Sequence, residues 1–141
     1  MKSLRLVSAV SGVYDLVVGA ALFLFTAQVA AAFGVAPPVP EVHAKLNALF
    51  LMVIGAGYSL PWREPERYRA YLWLMGPILK GAGAAVFIAD YLVNDSPRAF
   101  LLFAASDGAL AVWTLIALGS ARAKGTGQSP MPFRVLRPPS P

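Results

Sequence analysis

The chain has 141 residues, 57% of them hydrophobic and 13% charged, whereas an ordinary soluble domain carries about 25% charged residues. So few charges cannot cover a water-facing surface, and lipid is the expected solvent for much of a single domain. The formal net charge is +5, cysteine is absent and His43 is the one histidine, which excludes disulfides, thiolate metal sites, iron–sulfur clusters, thiol redox chemistry and a bis-histidine haem within one chain.

Four apolar segments follow one another, each close to the roughly 20 residues that a spanning helix needs. The first runs over about Leu4–Ala31, the second Glu41–Leu60, the third Tyr68–Val93 and the fourth Ala99–Ser120. Breaker segments separate them: Ala36-Pro37-Pro38-Val39-Pro40, then Pro61 to Arg67, then Asn94-Asp95-Ser96-Pro97. Connections this short force consecutive helices to be antiparallel neighbours. The expected fold is therefore all-α, an integral membrane antiparallel four-helix bundle over residues 1–120. The first segment exceeds a signal-peptide core and is interrupted by Asp15, so it reads as a retained span. Residues 121–141, basic and rich in Pro, Gly and Ser, read as a disordered cytoplasmic tail.

Basic residues orient the spans. Lys2, Arg5, Arg63, Arg67, Arg69, Arg122, Lys124, Arg134 and Arg137 fall on one side, and only Lys45 and Arg98 on the other. That asymmetry places both termini in the cytoplasm. Tyr58, Trp62, Tyr68, Tyr71 and Trp73 cluster at the same face, as an interfacial aromatic belt does. The basic residues flank spans and form no single stripe, which argues against nucleic acid as a partner.

Three ionisable residues break the apolar runs: Asp15, Lys80 and Asp107. A charge at bilayer depth is costly and marks a candidate functional site. At about 1.5 Å of rise per residue, Asp15 and Lys80 lie about 15 Å from the cytoplasmic boundary, and Asp107 about 18 Å in a core about 30 Å thick. Their helix faces are small or polar: Ser8, Ser11, Gly12 and Gly19 with Asp15, Gly76 and Gly83 with Lys80, and Ala104, Ala111 and Thr114 with Asp107. Small residues permit close helix approach, so all three charges are expected to meet in the interior. Pro77 is expected to kink the third span and to free the carbonyl of Trp73 beside Lys80. Asn47 on the second span adds a further candidate ligand-binding or proton-handling group.

Two readings of this trio stand side by side. Polar residues serve as interhelical glue worth roughly 0.6 to 2 kcal/mol each, which suits a purely structural role in helix registry. Alternatively the trio, net −1 when fully ionised, binds a ligand or handles a proton. His43, near the far interface with few partners, reads as an interfacial residue rather than a metal ligand. Gly81–Gly83 lacks the Gly-Lys-Ser/Thr pattern of a phosphate loop, and no nucleophile–histidine–carboxylate arrangement shares a depth. Gly19-Ala20-Ala21-Leu22-Phe23-Leu24 matches Gly83-Ala84-Ala85-Val86-Phe87-Ile88, a short internal repeat between two spans that run the same way.

The basic start, the Gly-rich first span ending in Phe33-Gly34-Val35, the proline segment, the Arg63–Arg69 loop, Lys80-Gly81 and Asp107-Gly108 together resemble DoxX-like small four-helix proteins of the bacterial inner membrane. Where such proteins tend to carry a Lys-Leu pair, this chain reads Leu22-Phe23-Leu24. The resemblance implies a multi-pass protein of the bacterial cytoplasmic membrane, an accessory subunit sometimes tied to a quinone-linked membrane oxidoreductase, and it assigns no catalytic residue. The functional expectation is a non-enzymatic binding or accessory protein without a cofactor, whose midplane pocket takes a quinone or lipid. A small proton-coupled transporter, with the chain as a homo-oligomer, is the alternative.

Overall fold

The computed structural model describes residues 2–125 of the chain, with side chains through residue 121. The elements are α1 (Lys2–Leu24), α2 (Thr26–Ala32), α3 (Val42–Gly57), α4 (Ser59–Arg63), α5 (Arg69–Trp73), a π-helical turn over Leu74–Lys80, α6 (Gly81–Asn94), a 3₁₀ turn over Arg98–Phe100 and α7 (Leu101–Gly125). No strand occurs among the described residues. Four helical runs are long and apolar enough to cross a membrane: Lys2–Leu24, Val42–Arg63, Arg69–Asn94 and Arg98–Ala121. They are called the first to fourth long helices below.

Several boundaries differ from those read in the sequence. The first segment is two helices, because the chain breaks at Phe25 (φ −127°, ψ 40°). There the Thr26 hydroxyl donates to the Leu22 carbonyl at 2.7 Å, a back-bond of the kind that bends helices. The second long helix runs on through Pro61 and Trp62 to Arg63, three residues expected in the connection. Pro61 is tolerated because it stands in the first turn of α4, where a missing N–H goes unnoticed. The fourth helix continues through Gly125 into the expected tail. The rest of that tail, with Phe133, Arg134 and Arg137, lies outside the described residues.

Both ends of the hairpins use specific terminators. Gly34 takes φ +75°, while its N–H donates to the Ala31 carbonyl and the Val35 N–H to the Ala30 carbonyl, each at 3.0 Å. That is a Schellman motif, which needs a left-handed residue and so favours glycine. At the end of α6 the left-handed residue is Asp95 (φ 51°). The Asp90 carboxylate holds this turn by accepting from the Asn94 amide and the Ser96 hydroxyl.

Close approaches set the order of the helices. A Cβ on Gly12 would stand 2.9 Å from the Gly55 carbonyl oxygen, and one on Gly19 would stand 2.9 Å from that of Ala48. Residue numbers thus rise on the first helix as they fall on the second, so the pair is antiparallel. The third and fourth behave alike: a Cβ on Gly76 would meet Thr114 Cγ2 at 2.6 Å, and one on Gly83 would reach Asp107 Oδ2 at 3.7 Å. Leu4, Val7, Tyr58, Leu72, Ala117 and Leu118 form a buried apolar layer at one end. At the other end Phe33, Phe87, Phe100 and Phe103 pack together, Phe33 stacking on Phe103 with centroids 4.9 Å apart. The charged trio lies between these two layers.

A charged trio at the floor of a lateral cleft

The three charges expected to meet do meet. Lys80 Nζ donates to Asp15 Oδ1 at 2.6 Å and to Asp107 Oδ1 at 3.2 Å. Asp15 and Lys80 are buried, with side-chain exposures of 1% and 5%, while Asp107 keeps 20%. One ammonium therefore ties the first, third and fourth long helices together. The supporting faces are as small as the sequence requires: Ser8, Ser11, Gly12, Gly19, Gly76, Ala104, Ala111 and Thr114 are all buried.

The defect at Pro77 is a π-helical turn. Pairing in such a turn runs from residue i to i+5, so the Trp73 carbonyl passes over the Pro77 nitrogen to the N–H of Ile78. The extra carbonyl acceptor expected beside Lys80 is thereby used within the helix. What the turn supplies is orientation, since it ends on Lys80 itself.

Tyr14 is a partner that sequence reading missed. Its hydroxyl and the Ser106 hydroxyl are hydrogen-bonded at 2.6 Å, and Lys80 Nζ lies over its ring, 5.0 Å from the centroid. The ammonium is thus held by two carboxylates and an aromatic face, an arrangement that favours a desolvated cation. A signal was present: Tyr14-Asp15 and Ser106-Asp107 are polar pairs, adjacent in sequence, on two of the three helices.

Not every polar group is satisfied. Asp15 Oδ2, the Ser11 hydroxyl and the Tyr58 hydroxyl are buried and have no hydrogen-bond partner among the described residues. Ser11 stands one turn before Asp15 on the same helix face, and Tyr58 packs over Gly12 between them. Buried polar groups normally find partners, so three together need an explanation.

The second long helix explains the shape of the site. It packs along the first helix but meets the third and fourth only sparsely. At one end Tyr71 joins it to the third, its hydroxyl donating to the Ile54 carbonyl at 2.6 Å. Beyond that contact the second and third helices part and leave a cleft of about 240 Å³. Phe50, Leu51, Ile54 and Leu79 wall this cleft; Asp15, Lys80 and Asp107 form its floor, with Gly83 beside them. Asn47 lines the same cleft without joining the salt-bridged trio. Phe50 and Leu79 are exposed on the outer surface, so the cleft opens sideways. All four candidate residues therefore border one space. His43 is exposed and lies outside it. Among the described residues no group of three or more His, Cys, Asp or Glu is placed to hold a metal ion. No family model, curated protein or solved structure matches the chain.

Proposed function

We propose that the chain is a multi-pass protein of the bacterial cytoplasmic membrane, an antiparallel four-helix bundle with both termini in the cytoplasm, which binds a lipophilic molecule in the cleft between its second and third spans. The observation that carries this reading is the composition of the cleft: apolar walls open sideways, over a floor of Asp15, Lys80 and Asp107. A molecule dissolved in the bilayer enters such a cleft without crossing water. The surface supports the membrane setting, since Val17, Phe50, Val86 and Leu102 are exposed while Ser8, Ser11 and Thr114 are buried. That is an apolar outside over a partly polar inside, the reverse of a soluble domain.

Asp107 and Asn47 are the accessible polar handles, because Asp15 and Lys80 are engaged with each other. A ligand hydroxyl or amine donates to Asp107, and a ligand carbonyl accepts from the Asn47 amide. A quinone or a lipid with a polar end fits both. The role is that of a binding or accessory protein, in keeping with the DoxX-like features of the sequence, with a membrane oxidoreductase as its partner. The test is mass spectrometry of compounds extracted from the protein purified in mild detergent. The wild type is expected to carry one lipophilic species, and Asp107→Asn and Asn47→Leu to carry about tenfold less, as befits a lost hydrogen bond to a buried site. A wild-type protein that carries none overturns the reading.

A second reading rests on the orphaned atoms. Asp15 Oδ2, the Ser11 hydroxyl and the Tyr58 hydroxyl lead from the trio toward the end of the molecule where Arg5 and Arg63 lie. Such a line of unpaired groups suits proton movement in a small proton-coupled transporter. Proton uptake by reconstituted vesicles that disappears in Asp15→Asn, with no retained lipophilic compound, would favour it. If neither activity is found while the trio still governs stability, the cluster is structural.

A further inference from the structure

We infer that the outer seam between the first and second long helices binds one anionic phospholipid, its phosphate held by Arg5 and Arg63 and an acyl chain laid in the groove beyond them. This rests on the membrane setting proposed above but not on the cleft, which lies on another side of the second helix.

The two arginines come from opposite ends of the sequence of this helical pair. Arg5 Nη2 donates to the Arg63 backbone carbonyl at 3.4 Å, which brings the Arg5 side chain to the end of the second long helix. With Trp62 they enclose a hollow of about 300 Å³. Neither arginine has an acidic partner among the described residues, in contrast to Arg67 and Arg69, which pair with Glu64 and Glu66. Two arginines without an acidic partner at one hollow call for an anion, and a phosphate can accept from both forks at once. The exposed indole of Trp62 stands where a headgroup meets the chains.

From Trp62 a second hollow of about 280 Å³ continues along the seam. Ala9, Gly12 and Val13 border it on one helix, and Gly55, Ala56 and Ser59 on the other. Ala9 follows Arg5 by one turn and Ser59 precedes Arg63 by one turn, so the groove starts at the arginine pair and runs straight away from it. Its walls are almost wholly apolar, and from Arg5 to Leu16 at its far end the rise is about 16 Å. An acyl chain has that form. The occupant is therefore a molecule with a phosphate at one end and a hydrocarbon chain at the other.

Native mass spectrometry of the full chain in detergent, with phosphatidylglycerol or phosphatidylcholine added, reads the site directly. The wild type is expected to retain one phosphatidylglycerol in preference to phosphatidylcholine. Arg5→Gln and Arg63→Gln should each weaken retention about fivefold, the ordinary worth of one arginine at an anionic surface. Arg5→Lys with Arg63→Lys should keep most of the preference, which separates charge from folding. Ala56→Phe, which fills the groove and leaves both arginines, should also weaken retention, and glycerol phosphate without chains should not compete. Equal retention of both lipids, indifference to both glutamine variants, or a second copy of the chain in place of the lipid overturns the inference while leaving the membrane reading intact. A chain that stays out of phosphatidylcholine vesicles overturns both.

Discussion

Lys80 is the residue on which three helices depend. Its ammonium is nearly inaccessible and neutralises Asp15, which is more buried still. Removing one partner of such a pair costs about 3–5 kcal/mol, because the other charge is left desolvated and alone. Lys80→Met is therefore expected to lower stability in detergent by that order, and Lys80→Met with Asp15→Asn to recover most of the loss. Thermal unfolding of the two variants checks it, and a double variant less stable than the single one would contradict it. Retention of the proposed cleft ligand in the double variant then separates the two roles, since a structural trio leaves binding intact wherever folding survives. These three charges were legible in the sequence because each interrupts an apolar run, where a charge has no cheap explanation. Tyr14 was marked only by standing next to Asp15, as Ser106 stands next to Asp107, and nothing in the sequence joins two residues 92 apart.

At the level of the helix, the π turn over Leu74–Lys80 matters more than the proline that accompanies it. A π turn holds one residue more than an α turn, and one residue is worth about 100° of rotation. Deleting Pro77 should close the turn into α geometry while keeping Lys80 on its present side. Deleting Ala84, which is buried within ordinary α-helix, should instead swing Phe87 off Phe100 and Phe103. The first deletion is expected to retain a cooperative melting transition and the second to lose it; the reverse ranking would show that the turn does not set the register. Proline marked this position in the sequence but not the form of the defect, since a kink, a break and a π turn all answer a missing N–H. The break at Phe25 left even less trace, because it depends on whether the Thr26 hydroxyl turns back on Leu22.

For the whole molecule, the four long helices followed from apolar runs of spanning length set off by proline-bearing breakers, which have few other uses. The cleft did not follow. It exists because the second helix packs on the first and parts from the third beyond Tyr71, and spacing along a chain says nothing of where two helices diverge. Orientation is the matching prediction at this scale. A reporter fused after Ser120 should be active only in the cytoplasm, and one inserted between Asp95 and Pro97 only outside, given the distribution of basic residues. Activity outside the cytoplasm at the Ser120 fusion would invert the arrangement. The glycines add an internal symmetry to this picture. Gly12 and Gly19 face the second helix as Gly76 and Gly83, each sixty-four residues later, face the fourth. Each pair of helices is thus zipped at equivalent points, and the repeat seen in the sequence corresponds to a repeat in packing.

The single ammonium shared by three helices also has a bearing on how the chain is born. Asp15 precedes Lys80 by 65 residues, and Asp107 follows it by 27. At about 5–20 residues per second, the ribosome delivers Lys80 about 3–13 s after Asp15. In the proposed membrane setting, the first hairpin carries throughout that wait a carboxylate with no counter-ion, which is costly at bilayer depth. In that setting the hairpin gains by staying out of lipid until the third helix emerges. The lysine lowers that cost when it arrives, and the last helix then brings Asp107 to an ammonium already paired with Asp15.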